Sequence, residues 1–204
     1  MNVPAKTEGG ESMSKKHARS VLTVVTLVMA VIALMGPRSA EAASPEGMES
    51  DAQAALQTLY DSTPAAKTLG DAAKGILIFP NIVKAGFIFG AKYGEGELLK
   101  GGKIAGYYNI AAVSFGLQAG IQGFAYALFF MTDNALSYLE RSAGFQVGVG
   151  PSIVVVDFAK AKTLTTTTAR DDVYAFIFGQ RGLMAGVTLQ GSKISRVGGV
   201  AEAN

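Results

Sequence analysis

The sequence YYNIAAVSFGLQAGIQGFAYALFFM, residues 107–131, decides how this chain is organised, because it contains no charged residue. On length and apolarity it resembles a membrane span, for which about 20 mostly apolar residues suffice. However, Gly116, Gly120 and Gly123 interrupt it, and each glycine weakens a helix interior by about 1 kcal/mol relative to alanine. Asparagine, serine and glutamine side chains also lie within it and are costly to bury unpaired. These features favour the centre of a folded domain over a membrane helix.

Within this stretch, the odd positions from 111 to 131 are all apolar or glycine, whereas polar groups recur at even positions. These even positions are Ser114, Gln118, Gln122 and Tyr126. Such alternation predicts strands with one buried face. The four polar positions are also four residues apart, so a helix with a polar stripe is the alternative. The glycines, β-branched residues and aromatics favour two or three long strands.

The flanking sequence predicts helices first and strands afterwards. Helical spacing of alanine and leucine indicates helices over residues 50–60 and 64–73, the second beginning at Thr63-Pro64. A short helix is predicted over 132–142. Further strands are predicted over residues 75–80, 83–93, 145–158, 163–168 and 173–178, and a last hairpin over 182–197 with its turn at Gly191-Ser192. The predicted class is α+β: a large curved antiparallel β-sheet or barrel-like domain, with an N-terminal helical layer and one short inserted helix.

Residues 1–42 have the pattern of an N-terminal extension and secretory signal peptide. Lys15, Lys16 and Arg19 precede an apolar run over 21–35, and the sequence AEA at 40–42 fits the cleavage rule. An uncleaved anchor is the alternative. Because no cysteine follows the apolar run, a Cys-anchored lipoprotein is excluded. The pattern predicts secretion across the inner membrane and a periplasmic or envelope-associated location.

The remaining chain divides into a leader with the N-terminal helix over 43–63, a domain over 64–197 and a tail over 198–204. The net charge of +2 comes from 18 basic and 16 acidic residues. Residues 1–42 hold five of the basic and three of the acidic residues, so the rest of the chain carries 13 of each. This balance argues against nucleic acid as a partner, because phosphates require a basic patch.

The chemistry available to residues 43–204 is narrow. The chain has no cysteine, and its one histidine is His17. Ser-His and Cys-His nucleophiles and histidine-bound zinc are therefore excluded from the domain. Asp171 and Asp172 are expected to be turn residues rather than an acid/base pair or a calcium site. A hydrolase that uses Asp157, Asp171 and Asp172 ranks third among the hypotheses, and we predict no enzyme, catalytic residue, metal or cofactor.

Lysines are the remaining functional candidates, because several fall close together with few acids between them. Lys84 and Lys92 share strand parity and are expected to face one side. A local basic face suits anionic headgroups, at about 1 kcal/mol per lysine near a charged surface, and solubilising surface charge is the alternative. Leu98-Leu99 is expected at a turn tip, as an insertion wedge or a capping contact. The predicted lipid-binding residues are Lys74, Lys84, Lys92, Leu98, Leu99, Lys100 and Lys103.

Several blocks of the sequence resemble, in order, the SYLF domain family over about residues 64–197. The blocks are GILIFPNIVKAGFIFGAKYGEGELL, GYYNIAAVSFGLQAG, YALFFMTDNALSYL, VGVGPSIVVVD and LTTTTARDDVYAFIFGQRGLMAG. The resemblance implies an antiparallel β-rich domain with flanking helices and a role in lipid binding. Eukaryotic members belong to actin-patch and endocytic proteins and bind phosphoinositides, whereas similar bacterial members are secreted, single-domain and described as lipid-binding.

The chain departs from the eukaryotic pattern at its N-terminal helix. There, the family's lipid contact is attributed mainly to a basic amphipathic helix, but residues 50–73 hold only Lys67 against Asp51, Asp61 and Asp71. Phosphoinositides and actin are not the expected partners of a bacterial envelope protein. The first hypothesis is a non-enzymatic phospholipid-binding protein of the bacterial cell envelope, with lysine contacts to headgroups and apolar contacts. The alternative is a structural or protein-interaction module of the envelope without lipid specificity.

Overall fold

A computed structural model describes residues 45–86, 89–115, 120–142, 145–156, 170–182 and 191–198. Two helices come first, α1 (Pro45–Ser62) and α2 (Pro64–Ala72), and a third helix, α3 (Asp133–Arg141), lies between strands. The strands are β1 (Gly75–Gly86), β2 (Phe89–Lys100), β3 (Lys103–Phe115), β4 (Gly120–Phe130), β5 (Phe145–Gln146), β6 (Ile153–Val156), β7 (Val173–Gly182) and β8 (Lys193–Gly198). All of these elements lie within Ala43–Asn204, one of two compact units of the chain.

The eight strands form one curled half-barrel sheet in the order β5-β8-β3-β2-β1-β4-β7-β6. Neighbouring strands are antiparallel except β6 and β7, which run parallel. The sheet is therefore mixed rather than purely antiparallel. Two consecutive strands that pair in parallel require a crossover connection between them. The predicted α+β class, with helices on the N-terminal side and one inserted helix, is confirmed.

The two faces of the sheet pack against different helices. The outer face lies beneath α1 and α2, where Leu59 and Leu69 pack with Ile78 and Phe129. The inner face packs with α3 through Leu136 and holds the larger cluster of buried residues. Successive side chains of a strand point to opposite faces of the sheet. The hydrogen-bonded pairing of the strands therefore shows which face each strand residue occupies.

The four central strands also define two ends. The near end is where β1 begins, β4 ends and the turn between β2 and β3 lies. The far end is where β1 ends at Gly86 and β4 begins at Gly120. At the near end, Lys100 pairs with Lys103 across Gly101 and Gly102, whose φ angles are 56° and 78°. Positive φ at both central residues is the requirement of a two-residue type I′ hairpin, which glycine meets without strain.

Pro80 marks a β-bulge rather than the predicted end of a strand. The register between β1 and β2 shifts between Ile78 and Asn81, and β1 then continues to Gly86. Proline lacks an N–H group, and a bulge removes the need for one. Gly96 faces this bulge, because a Cβ atom there would collide with the Ile78 carbonyl oxygen and the ring of Phe79.

The central uncharged stretch forms two antiparallel strands, β3 and β4, as the glycines and aromatics predicted. The single strand predicted over 83–93 is wrong, because β1 ends at Gly86 and β2 begins at Phe89. The α1 helix is longer than its predicted range of 50–60, and α2 agrees to within a residue. Among the described helices, none has the length and apolarity required to cross a membrane.

Some predictions lie outside the described residues. These are the signal segment over 1–42, the strand over 163–168, Gln118, Asp157 and the tail beyond Gly198. The domain boundaries at 43, 64 and 197 also remain predictions.

Candidate lipid-binding surface

The five predicted lysines divide between the two ends of the sheet. Lys74, Lys100 and Lys103 lie at the near end, beside the first residue of β1 and the β2–β3 turn. Lys84 and Lys92 lie at the far end, roughly 25–30 Å away at the usual rise per strand residue. The structure therefore does not bring the predicted residues together as one lysine face.

Lys84 and Lys92 are direct cross-strand partners on the inner face. The prediction that they face the same side is right, but the cause is the β1–β2 hairpin rather than parity along one strand. Both side chains are largely buried, at 9% and 7% exposure. Like charges directly opposite each other in a sheet repel each other.

Polar groups surround Lys92 at the edge of the inner core. Its Nζ donates to the Tyr126 hydroxyl over 3.2 Å and lies 5.1 Å from the centre of that ring. Burial, with the Lys84 charge as the second cause, lowers the pKa of Lys92 to about 8. Gln122 is the β4 partner of Lys84, and among the described residues its buried Oε1 finds no hydrogen-bond donor. The result is a cationic and amide-lined end to an otherwise apolar interior.

The near-end lysines have ordinary surface surroundings. Lys100 Nζ lies 2.9 Å from Glu140 Oε1, and Lys74 Nζ lies 3.9 Å from Asp133 Oδ2. Lys103 is exposed beside the β2–β3 turn. These features agree with the alternative of solubilising charge for the near-end group.

Leu98 and Leu99 are not at a turn tip, and that prediction is wrong. Both lie inside β2 and are buried, Leu98 in the inner core and Leu99 against the helices. The nearby glycines misled the interpretation, because Gly94 and Gly96 are strand residues and the turn lies at Gly101-Gly102. An insertion wedge at these two leucines is therefore ruled out.

Sequence reasoning missed a group of exposed apolar side chains at the far end of the outer face. In the described part of the chain, five of the nine exposed large hydrophobic residues lie there, namely Val83, Phe89, Tyr93, Val113 and Ile121. The odd positions of β3 and β4 had been expected to be buried, but Val113 is 89% exposed. The helices end before this part of the outer face, so apolar alternation there does not indicate burial.

The carboxylates considered for hydrolysis have structural partners. Asp172 accepts from the Ser152 backbone N–H over 3.2 Å and from the Thr132 hydroxyl over 3.1 Å. Asp171 shares a hydrogen bond with the Tyr174 hydroxyl over 3.3 Å. Thr132 in turn caps α3 by accepting from the Ala135 N–H. Asp172 therefore joins the start of β7 to α3 and to the start of β6, whereas Asp171 bonds to Tyr174 of β7 itself.

Glu97 is a buried carboxylate on the outer face, beneath the helical layer. Its side chain is fully buried, and neither oxygen has a hydrogen-bond donor among the described residues. Burial, with the Glu49 charge second, raises the pKa of Glu97 to about 7. Glu97 pairs with Ile78 inside the sheet.

Comparison with known proteins gives one family. Residues 111–201 match the family described as Ysc84: Las17-binding protein actin regulator, which is the SYLF domain family. The match runs from the middle of β3 past the end of β8. No curated protein matches the chain. The sequence blocks quoted above had pointed to the same family, and this match confirms the SYLF resemblance over residues 111–201.

Proposed function

We propose that this chain is a non-enzymatic phospholipid-binding protein of a bacterial cell envelope. Its far end meets the lipid headgroups, with Lys84 and Lys92 as the cationic contacts. The near-end residues Lys74, Lys100 and Lys103 are not part of this site.

The observation that carries the proposal is the Lys84–Lys92 pair. The β1–β2 register sets two ammonium groups opposite each other at the rim of an apolar core. A phosphodiester offers two non-bridging oxygens that share one negative charge, and the Tyr126 hydroxyl and Gln122 amide supply further hydrogen-bonding groups beside the lysine pair. Cationic groups next to apolar surface match the amphipathic character of a phospholipid.

The family description favours one second candidate. It names binding to a protein and regulation of actin, and it names no reaction. A protein-interaction module of the envelope is therefore the alternative for this chain. Actin itself is not an expected partner in a bacterial envelope, so the partner in that case is a different protein.

Vesicle sedimentation tests the proposal. The full chain and the form beginning at Ala43 are mixed with zwitterionic phosphatidylcholine vesicles or with vesicles that contain one quarter phosphatidylglycerol, at 50 and 500 mM salt. We expect both forms to pellet with the anionic vesicles and to be released in part by salt. If only the full chain pellets, the apolar run over 21–35 is responsible, and the domain is not a lipid binder. If neither form pellets, the protein-interaction alternative replaces the proposal.

A matched pair of double variants tests the lysine contacts. Lys84→Gln with Lys92→Gln removes two charges from β1 and β2 at the far end, whereas Lys100→Gln with Lys103→Gln removes two from β2 and β3 at the near end. We expect binding to anionic vesicles to fall several-fold in the first variant and to change little in the second. Circular dichroism and the unfolding midpoint confirm that both variants fold. Equal effects of the two variants would contradict a specific role for Lys84 and Lys92.

A further inference from the structure

The far end of the outer face carries a continuous exposed apolar area, which we call the far outer surface. Its eight residues come from the four central strands and all are exposed. They are Val83 and Ala85 of β1, Phe89, Ala91 and Tyr93 of β2, Ala111 and Val113 of β3, and Ile121 of β4. None of them is charged. Exposed apolar areas of this kind mark interaction sites more often than single exposed hydrophobic residues do.

The hydrogen-bonded register arranges these residues in rows across the sheet. One row reads Ile121, Ala85, Ala91, Val113. The neighbouring row reads Arg181, Gly123, Val83, Tyr93, Ala111, Lys193 and crosses six strands. The second row therefore places an exposed cation at each end of an apolar strip.

Polarity falls in steps along the strands toward the far end. The row nearest the helices is polar and reads Asn81, Glu95, Asn109 across β1, β2 and β3. The next row holds Tyr93, whose hydroxyl donates to Glu95 over 2.9 Å, between the two flanking cations. The row after that contains only alanine, valine and isoleucine, and Phe89 lies beyond it.

This order is the one found where a protein enters a bilayer. Tyrosine and snorkelling lysine or arginine side chains lie at the headgroup level, and purely apolar side chains lie deeper. A surface that binds a protein partner has a different pattern, because its apolar centre is surrounded by a polar rim. Among the described residues, polar side chains border the far outer surface toward the helices and at its two sides, while polarity decreases toward the strand ends.

We infer that the far outer surface is the membrane-inserting face of this domain. Val113, Ile121 and Phe89 enter the interfacial region of the bilayer, while Arg181 and Lys193 contact anionic headgroups on either side. This inference rests on the proposed phospholipid binding and names the surface that performs the apolar part of it. It replaces the buried leucines at 98 and 99, which cannot reach a membrane in the folded domain.

An introduced tryptophan gives a direct test, because the chain contains none. Val113→Trp places an indole on the far outer surface, and Val149→Trp is the control, since Val149 is 60% exposed but lies outside it. With vesicles of one quarter phosphatidylglycerol, we expect the emission of the first variant to shift to the blue and to be quenched by brominated acyl chains. The control is expected to keep its emission unchanged although the protein is bound.

Charge insertion on the same surface gives a second, independent readout. Val113→Asp with Ile121→Asp is expected to lower vesicle partitioning at least tenfold, whereas Val149→Asp is expected to leave it within about twofold. Arg181→Gln with Lys193→Gln is expected to reduce the preference for anionic over zwitterionic vesicles several-fold. Both pairs are exposed, so their unfolding midpoints are expected to stay close to that of the parent protein.

The outcomes separate this inference from the proposed function. If the parent protein pellets with vesicles, but the indole at 113 is not quenched and the Asp variants bind equally, then lipid binding stands and this surface is overturned. If the parent protein does not bind vesicles, the proposed function fails first. A blue shift that grows with protein concentration in the absence of lipid would show a second copy on this surface and would overturn membrane insertion.

Discussion

At the near end of the outer face, Ile78 and Phe129 are buried beneath α1 and α2, whereas at the far end Val113 and Ile121 of the same face are exposed. The inner face shows the reverse at the far end, because Lys84 and Lys92 are largely buried there. Apolar residues normally lie inside and charges outside. Apart from the buried Glu97, the near end follows this rule, while the far end departs from it on both faces.

The difference teaches where to look for function in this domain. The helices cover the near end of the outer face and leave its far end exposed. Buried lysines and exposed valines both lower stability in water, and both become favourable beside a phospholipid surface. We therefore propose that the departure at the far end serves phospholipid binding.

The largest expected effect on the free energy of unfolding comes from comparing two single variants, each of which truncates one apolar side chain, one at the near end and one at the far end. Phe129 is fully buried and meets the Phe176 ring edge-on at 5.3 Å, so Phe129→Ala is expected to cost about 3–5 kcal/mol in the free energy of unfolding. Val113→Ala removes an exposed side chain and is expected to stay within about 0.5 kcal/mol. Urea unfolding measures both values. A cost above about 2 kcal/mol for Val113→Ala would mean that the far outer surface is packed in solution.

Glu97 is a buried carboxylate among the apolar residues that the helices cover. Its burial leads us to expect a pH-dependent loss of stability. The pKa of its carboxyl is about 7 in the folded state, against 4.5 for the free group. The folded state therefore binds this proton more tightly, so the contribution of Glu97 to stability is most favourable below pH 4.5 and declines as the pH rises toward and through 7. Glu97→Gln is expected to remove this fall and to stabilise the protein at pH 8 by about 2–3 kcal/mol.

Thermal unfolding between pH 4 and 8 measures this effect. The parent protein and Glu97→Gln are expected to differ little at pH 4 and most at pH 8. Glu95→Gln is the control, because Glu95 lies two residues away on the same strand and is exposed. If Glu97→Gln lowers stability equally at both ends of this pH range, the carboxylate has a partner that requires its charge.

The sequence predicts the near end well because local pattern and burial agree there. The charge-free stretch with its glycines and aromatics predicted β3 and β4, and Thr132 with its following residues predicted α3. The hairpin between β1 and β2 was missed because residues 86–90, GFIFG, contain no polar turn residue and continue the alternation of a strand. Pro80 was misread as a strand end because a bulge depends on the opposite residue, Gly96, which only the register identifies.

The candidate site was predicted only in part. The Lys84–Lys92 pair could be predicted because equal parity survives a symmetric hairpin. The far outer surface could not, since alternation shows that a strand has two different faces without showing which face the helices cover. Arg181 and Lys193 join the same row only through pairing with β4 and β3, and no spacing along the chain reveals that neighbourhood.

Variants of Lys92 test whether a buried charge at the far end lowers the free energy of unfolding. The pKa of its ammonium group is about 8 in the folded state, below the usual 10.5, so the unfolded chain binds the proton more tightly. Stability is therefore expected to rise with pH between about 8 and 10.5. Lys92→Met is expected to remove this rise and to gain about 2 kcal/mol at pH 7. Urea unfolding at pH 7 and 10 compares the variant with its parent, and an unchanged slope would mean that Lys92 is not the residue that titrates.

The near-end lysines provide the smallest expected effect. Lys100 and Glu140 form a 2.9 Å ion pair in which both side chains remain partly exposed. Exposed pairs of this kind contribute about 0.2–1 kcal/mol, and salt screens them. A double-mutant cycle with Lys100→Ala and Glu140→Ala is expected to give a coupling energy in this range at 50 mM salt and a smaller one at 500 mM. Because the proposed lipid contact is at the far end, neither variant is expected to change vesicle binding more than about twofold. A large loss of binding in Lys100→Ala, with normal stability, would move the headgroup contact to the near end and reverse the comparison.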